Sequence, residues 1–181
     1  MPTTPSGSSW VRQFPTGTTT QSLTPTFATA VNQFVAALRL GGASVNIAAT
    51  LRPPERAYLM HYSYKIARSG LDPATVPAMA GVAIDWVHRD AKGKLNLPAS
   101  RLAAAQMVSG YGIVYAPALV SRHSQGRAID MNITNYLKKK FVNANKVATT
   151  VTSAAELHAL GATFGVIKLA SDPPHWSDDG R

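Results

Sequence analysis

Two short stretches of this chain hold side chains that could act together on one cation. Ser121-Arg-His-Ser-Gln-Gly-Arg-Ala-Ile-Asp130 carries an imidazole, a turn glycine and a carboxylate, and Asp172-Pro-Pro-His-Trp176 adds a second imidazole and a second carboxylate. His123, Asp130 and His175 make a catalytic zinc set if a fourth position stays open to water, and Asp172 is then free to serve as a base. The chain contains no cysteine, which removes thiolate ligands and any disulfide framework.

Each half has a geometry that the residues suggest. Gly126 supplies the positive φ of a turn after His123, and Arg127 to Ile133 reads as a strand. Side chains alternate along a strand, so Ala128, Asp130 and Asn132 share one face while Arg127, Ile129, Met131 and Ile133 share the other. Asp130 is thus expected to point back toward His123 over the small Ala128. In the second half, Pro173 and Pro174 are expected to hold polyproline II, which places Asp172 and His175 on one side, roughly 9 Å apart.

Around these stretches lies a chain of 181 residues with 45% hydrophobic content, enough for one globular domain with a useful core. Lysine and arginine number 18 against 9 acidic residues, a formal charge of +9, which points to an anionic partner. Nucleic acid, a membrane surface and an anionic cell wall all qualify. The cluster Lys138-Lys-Lys140 with Lys146 lacks interleaved aromatic residues for base stacking, so nucleic acid is not favoured. Its simplest role is a solvated face, with anionic-polymer binding as the alternative. No run is long enough to span a membrane. Residues 1–21 form a polar arm rich in Thr, Ser, Pro and Gly without the pattern of a signal peptide, interrupted by Trp10, Val11 and Phe14, which are expected to pin it to the surface. Residues 22–181 are expected to form the catalytic domain.

The elements that must position the two stretches follow in order. Thr24-Pro25 opens a helix with Phe27, Val31, Phe34, Val35 and Leu38 at helical spacing, stopped by Gly41-Gly42. Residues 43–51 read as a strand that leads into a loop with Arg52 at the junction. Arg52 is either a solvated loop cation or a substrate clamp, since guanidinium forks onto carboxylates and polarised carbonyls. Residues 54–68 and 98–109 read as helices, and 81–89 is short and apolar enough to be strand or helix. Asp85 and His88 within it lack a nearby third ligand and are expected to be structural. Residues 111–120 are expected to be a buried extended segment. Ser153-Ala-Ala-Glu156 is a capping box opening a helix on which His158 lies, not expected to be a ligand. Residues 164–169 read as the last long strand.

The paired motifs resemble those of the zinc peptidases that group D-Ala-D-Ala carboxypeptidases with L-alanyl-D-glutamate endopeptidases, phage endolysins among them. The family pattern SxHxxGxAxD matches Ser121, His123, Gly126, Ala128 and Asp130, and its acidic-x-x-His-Trp pattern matches Asp172, His175 and Trp176. The likeness runs from about Phe27 onward and leaves the arm uncovered. It implies an α+β fold, a small antiparallel sheet flanked by helices in a single zinc peptidase domain. It implies one zinc ion on His123, Asp130 and His175, with Asp172 as general base in a position where many members carry Glu. Arg52 and Ser121 would contact substrate, with Arg52 also stabilising developing charge, and Trp176 belongs to the same substrate-contacting set.

The implied substrate is the stem peptide of bacterial peptidoglycan, cut by a monomer most readily as an L-alanyl-D-glutamate endopeptidase, with D-Ala-D-Ala carboxypeptidase as the alternative. A cytoplasmic product without a signal peptide acting on the wall requires another route, such as release at phage lysis or carriage on a virion. Two readings from other classes stay open. Two His and one carboxylate also define the facial triad of non-haem iron oxygenases, and a silent wall-binding module could keep the zinc fold. Retention of an acidic residue at 172 argues against the silent module.

Overall fold

The computed structural model describes residues 2–181 of an α+β protein. Its contacts divide the chain into two compact units, residues 1–15 with 53–120 and residues 16–52 with 121–181.

In the first unit, helix α2 (Pro54–Arg68) packs on helix α3 (Leu97–Tyr111), and strand β1 (Thr4–Pro5) pairs in parallel with β3 (Ile84–Asp85). Trp10 sits in a short 3-10 helix, Ser8–Arg12, and is buried with Tyr58, Leu59, Ile66, Trp86 and Met107. Its indole donates to the Pro5 carbonyl at 3.0 Å, so the buried N–H is satisfied. Residues 81–89 resolve as strand only at β3, whose length is set by its two-residue partner. Residues 111–120 differ from expectation. The segment is largely exposed and forms no strand, with only Ile113 buried. Helix α3 runs on to Tyr111 and closes at a left-handed Gly112, whose amide returns to the Ser109 carbonyl, so the chain leaves the helix with no strand to join.

In the second unit, helix α1 (Pro25–Leu40) begins at a proline, whose missing N–H costs nothing in the first turn. A four-stranded antiparallel sheet follows in the order β2 (Ser44–Ala49), β4 (Ala128–Thr134), β8 (His175–Ser177), β7 (Ile167–Lys168), and β5 (Lys139–Val142) pairs with β6 (Ala148–Val151) as a separate hairpin. Helix α4 (Ala154–Thr163) starts at Ser153, whose hydroxyl accepts from the Glu156 amide at 3.2 Å. Glu156 reaches back to the amide and hydroxyl of Thr152, one residue before the expected partner.

One face of the sheet is apolar. Phe27, Val31, Phe34 and Leu38 of α1 and Leu157 and Leu160 of α4 pack on Ile129, Met131 and Trp176. Each such side chain removed from water stabilises the unit by about 1.5–3 kcal/mol, which makes this layer the rigid backing of the sheet. The strand expected over residues 164–169 is confined to β7, and a further strand, β8, follows it. Gly165 at φ 78° and the Val166 amide bonded to the Gly161 carbonyl prolong the helix closure through 166, so pairing cannot begin earlier.

Candidate metal centre

Strand β4 is the second strand of the sheet, with Asp130 opposite Ala49 on one side and His175 on the other. Alternation sends Ile129 and Met131 into the core, so Asp130 emerges on the opposite face beside His175, its cross-strand neighbour. The same alternation on β8 separates His175 from Trp176.

His123 arrives from the turn that precedes β4. The Gly126 amide bonds the His123 carbonyl at 3.2 Å and the Arg127 amide bonds the Arg122 carbonyl at 2.8 Å. Gly126 has φ 66°, and a Cβ there would lie 3.2 Å from the Ser22 carbonyl oxygen and 3.3 Å from the Thr24 nitrogen. Both the backbone hand and the crowding favour glycine. The end of β2 then grips the histidine. Thr50 O accepts from His123 Nδ1 at 2.7 Å, and the Arg52 amide donates to the His123 carbonyl at 3.1 Å. Thr50 itself is held by a bond from its amide to the Gly17 carbonyl at 2.7 Å and by Ser22 Oγ at 2.8 Å from its hydroxyl.

Three ligand atoms converge at this point. His123 Nε2 lies 3.1 Å from Asp130 Oδ1 and 3.1 Å from His175 Nδ1, and His175 Nδ1 lies 3.4 Å from Asp130 Oδ1. A carbonyl oxygen can only accept, so the proton of each neutral ring is fixed on its far side. His123 Nδ1 donates to Thr50 O, and His175 Nε2 donates to the Arg181 carbonyl at 2.9 Å. Both neutral rings therefore turn a bare lone pair toward the carboxylate. Three acceptors at this spacing repel unless a cation lies among them.

The spacing also suits a particular kind of cation. Three N and O ligands on a tetrahedral ion at about 2.0–2.1 Å are about 3.3 Å apart, close to the triangle found here. The carbonyls behind the two rings supply the outer-shell bonds that fix tautomer and orientation in metal sites. His123, Asp130 and His175 form the group able to hold a metal ion among the described residues.

The electrostatics agree with this reading. Burial alone would raise the Asp130 pKa, but a second proton on either ring would donate to Asp130, and those hydrogen bonds with the imidazolium charge outweigh burial and hold it well below the carboxylate range. Burial would lower the His175 pKa, yet bonds to Asp130 and the Arg181 carbonyl, with the charges of Asp130 and Asp172, move it upward. Both shifts express one demand for positive charge at the centre of the triangle.

The remaining expected residues take varied places. Asp172 is exposed and does not join the three ligand atoms, and its charge acts on His175. The polyproline II expectation is corrected. The His175 amide bonds the Asp172 carbonyl at 3.1 Å, closing a turn, whereas polyproline II has no internal hydrogen bonds. Proline fixes φ and leaves ψ free, and the ladder bond from the Met131 amide to the Pro174 carbonyl at 2.8 Å selects the folded alternative.

Arg52 lies half-buried in the loop between β2 and α2. The Ser121 hydroxyl accepts from the Ser124 amide at 3.3 Å, and Ser124 Oγ donates to the Ser121 carbonyl at 2.9 Å, so Ser121 helps build the turn. Trp176 is not on the site surface. It is 2% exposed, with its ring 5.4 Å from Phe34 and 5.6 Å from His158, because its neighbour His175 occupies the other face of β8. Asp85 accepts from the nearby Val87 amide, His88 pairs with the distant Ser6 hydroxyl, and neither joins a ligand group among the described residues.

Sequence reading missed two supports. Thr50 acts through a backbone carbonyl that any residue could present, so no side-chain signal existed. Lys168 extends its ammonium to the carbonyls of Leu169, Asp172 and His175, the last at 3.0 Å, and so holds the turn that carries a ligand. A lysine flanked by apolar residues gives no sign of that. No protein-family model matches the sequence, and a search of curated proteins finds no match.

Proposed function

We propose that this chain is a zinc-dependent peptidase acting on peptidoglycan stem peptides, as an L-alanyl-D-glutamate endopeptidase. The observation that supports the metal is the triangle of bare lone pairs from His123, Asp130 and His175, each ring backed by a carbonyl. Support for the substrate class comes from the motifs SxHxxGxAxD and DxxHW, both of which this sequence contains. Two His and one carboxylate leave a fourth tetrahedral position for water or substrate, the pattern of catalytic zinc.

Zinc held by these three residues would supply Lewis acidity toward a scissile carbonyl and a water more easily deprotonated than bulk water. Asp172, exposed on the turn that ends at His175, accepts the proton of the attacking water and returns it to the leaving amine. Arg52 stabilises negative charge that develops on the scissile carbonyl oxygen or binds a substrate carboxylate. Ser121 contributes to substrate contact from the turn before His123. All three ligands come from one chain, so a monomer suffices.

Mass spectrometry of purified muropeptides after digestion tests the reading. Stem peptides released without their first L-Ala are the expected product. Loss of a terminal D-Ala alone would assign the carboxypeptidase instead, and intact muropeptides after incubation with the zinc-loaded protein would refute the peptidase.

A further inference from the structure

Away from the metal centre, the second unit carries a groove of about 540 Å³ between helix α1 and the β5–β6 hairpin. Its lining includes Ala37, Leu40, Lys140, Phe141, Lys146 and Phe164. Leu40 is 89% exposed, and Val142 and Val147 of the hairpin stand 45% and 57% exposed. Leu40 and Val142 line the groove together with Lys140 and Lys146, so apolar and cationic side chains meet on one surface.

The charge is equally one-sided. No acidic residue occurs in positions 1–54 or 131–155, which include all of α1 and the whole hairpin. Lys139 is occupied with the Gly42 carbonyl, while Lys138, Lys140 and Lys146 have no carboxylate within ion-pair distance among the described residues. Lys138 and Lys146 also hold positive φ of 59° and 64°, a backbone hand that glycine or asparagine adopts more easily.

From this we infer that the α1–hairpin end of the second unit docks on an anionic lipid bilayer, with Leu40, Val142 and Val147 entering the headgroup layer and Lys140 and Lys146 meeting lipid phosphates. The lysines alone would suit any polyanion; the exposed aliphatic tips beside them favour lipid, where apolar contact and charge attraction act together. Among the described residues no helix is long and apolar enough to cross a membrane. The inference stands independently of the metal and its chemistry.

The test is co-sedimentation of the full chain with vesicles of phosphatidylcholine alone and of phosphatidylcholine with an equal part of phosphatidylglycerol. Binding is expected to the anionic vesicles only, and to weaken as salt rises. Lys140→Ala with Lys146→Ala should lower the partition coefficient roughly thirtyfold, since each lysine near an anionic surface contributes on the order of a fivefold factor. Leu40→Asn, at a site too exposed to disturb folding, should lower it several-fold at unchanged charge. Equal binding to both vesicles, or to neither, overturns the proposal. Lysine sensitivity with no effect of Leu40→Asn also overturns it and assigns the surface to a soluble polyanion.

Discussion

Each unit holds an aspartate and a histidine whose residue types could suit a metal, Asp85 with His88 and Asp130 with His175, and the two places behave differently. In the first unit, Asp85 Oδ1 accepts from the Val87 amide at 2.8 Å, and His88 Nε2 lies 3.0 Å from Ser6 Oγ. Each group is bonded within its own unit, Asp85 to the next turn of chain and His88 to the distant Ser6, and neither joins a group of metal ligands among the described residues. In the second unit, Asp130 and His175 are opposed across a sheet, and the bonds made by His123 and His175 go to carbonyls behind the rings. A site arises where backbone acceptors engage the far side of each ring, because the near side must then seek a cation. Residue types alone do not distinguish the two places.

Removing one ligand should break the contrast most completely. Asp130→Ala or His175→Ala should lose bound zinc and all muropeptide hydrolysis, while His88→Ala keeps the full metal content, as read by atomic absorption on dialysed protein. Loss of zinc from His88→Ala would show that the difference between the two places has been misread.

Replacing the proposed base sharpens the comparison within the second unit. Asp172→Asn should retain zinc, since Asp172 is not among the three ligands, and lose roughly 10²–10⁴-fold in turnover. A near-normal rate would move the base to another group.

Stability separates the units next. Ligand that binds only the folded state stabilises it by about 4 kcal/mol at a thousandfold excess over Kd. Zinc should therefore raise the melting transition of the wild-type chain and of His88→Ala, and leave that of Asp130→Ala unmoved in calorimetry. A zinc-induced rise in Asp130→Ala would place the ion elsewhere. Gly126→Ala should destabilise the chain in urea by about 1–3 kcal/mol through its positive φ and its closeness to the Ser22 carbonyl. His88→Ala should cost only about 1 kcal/mol for a lost half-buried hydrogen bond.

Much of this was legible in the sequence because local rules govern it. The helix starts at Pro25 and Pro54, the Ser153 cap, the positive φ at Gly126 and the alternation that separates Asp130 from Ile129 all follow from residue type and period. What escaped depends on pairing between distant segments. The Asp172–His175 turn is selected by a ladder bond from Met131, and the early end of β2 by the bonds between Gly17 and the Thr50–Leu51 backbone. Trp176 illustrates the same limit. A motif places it next to a ligand in sequence, and the pleat then turns it into the core. The exposed run after Tyr111 is apolar in composition and lacks a strand to pair with, so composition alone suggested burial.

The central claim is that His123, Asp130 and His175 hold one zinc ion with a position left open. Zinc-edge X-ray absorption on the loaded protein measures this directly. The expected first shell contains two imidazole nitrogens and a carboxylate oxygen at about 2.0–2.2 Å, with a fourth light-atom ligand that changes when a substrate-like inhibitor is added. A shell with a single imidazole, or one unaltered in Asp130→Ala, would contradict the account.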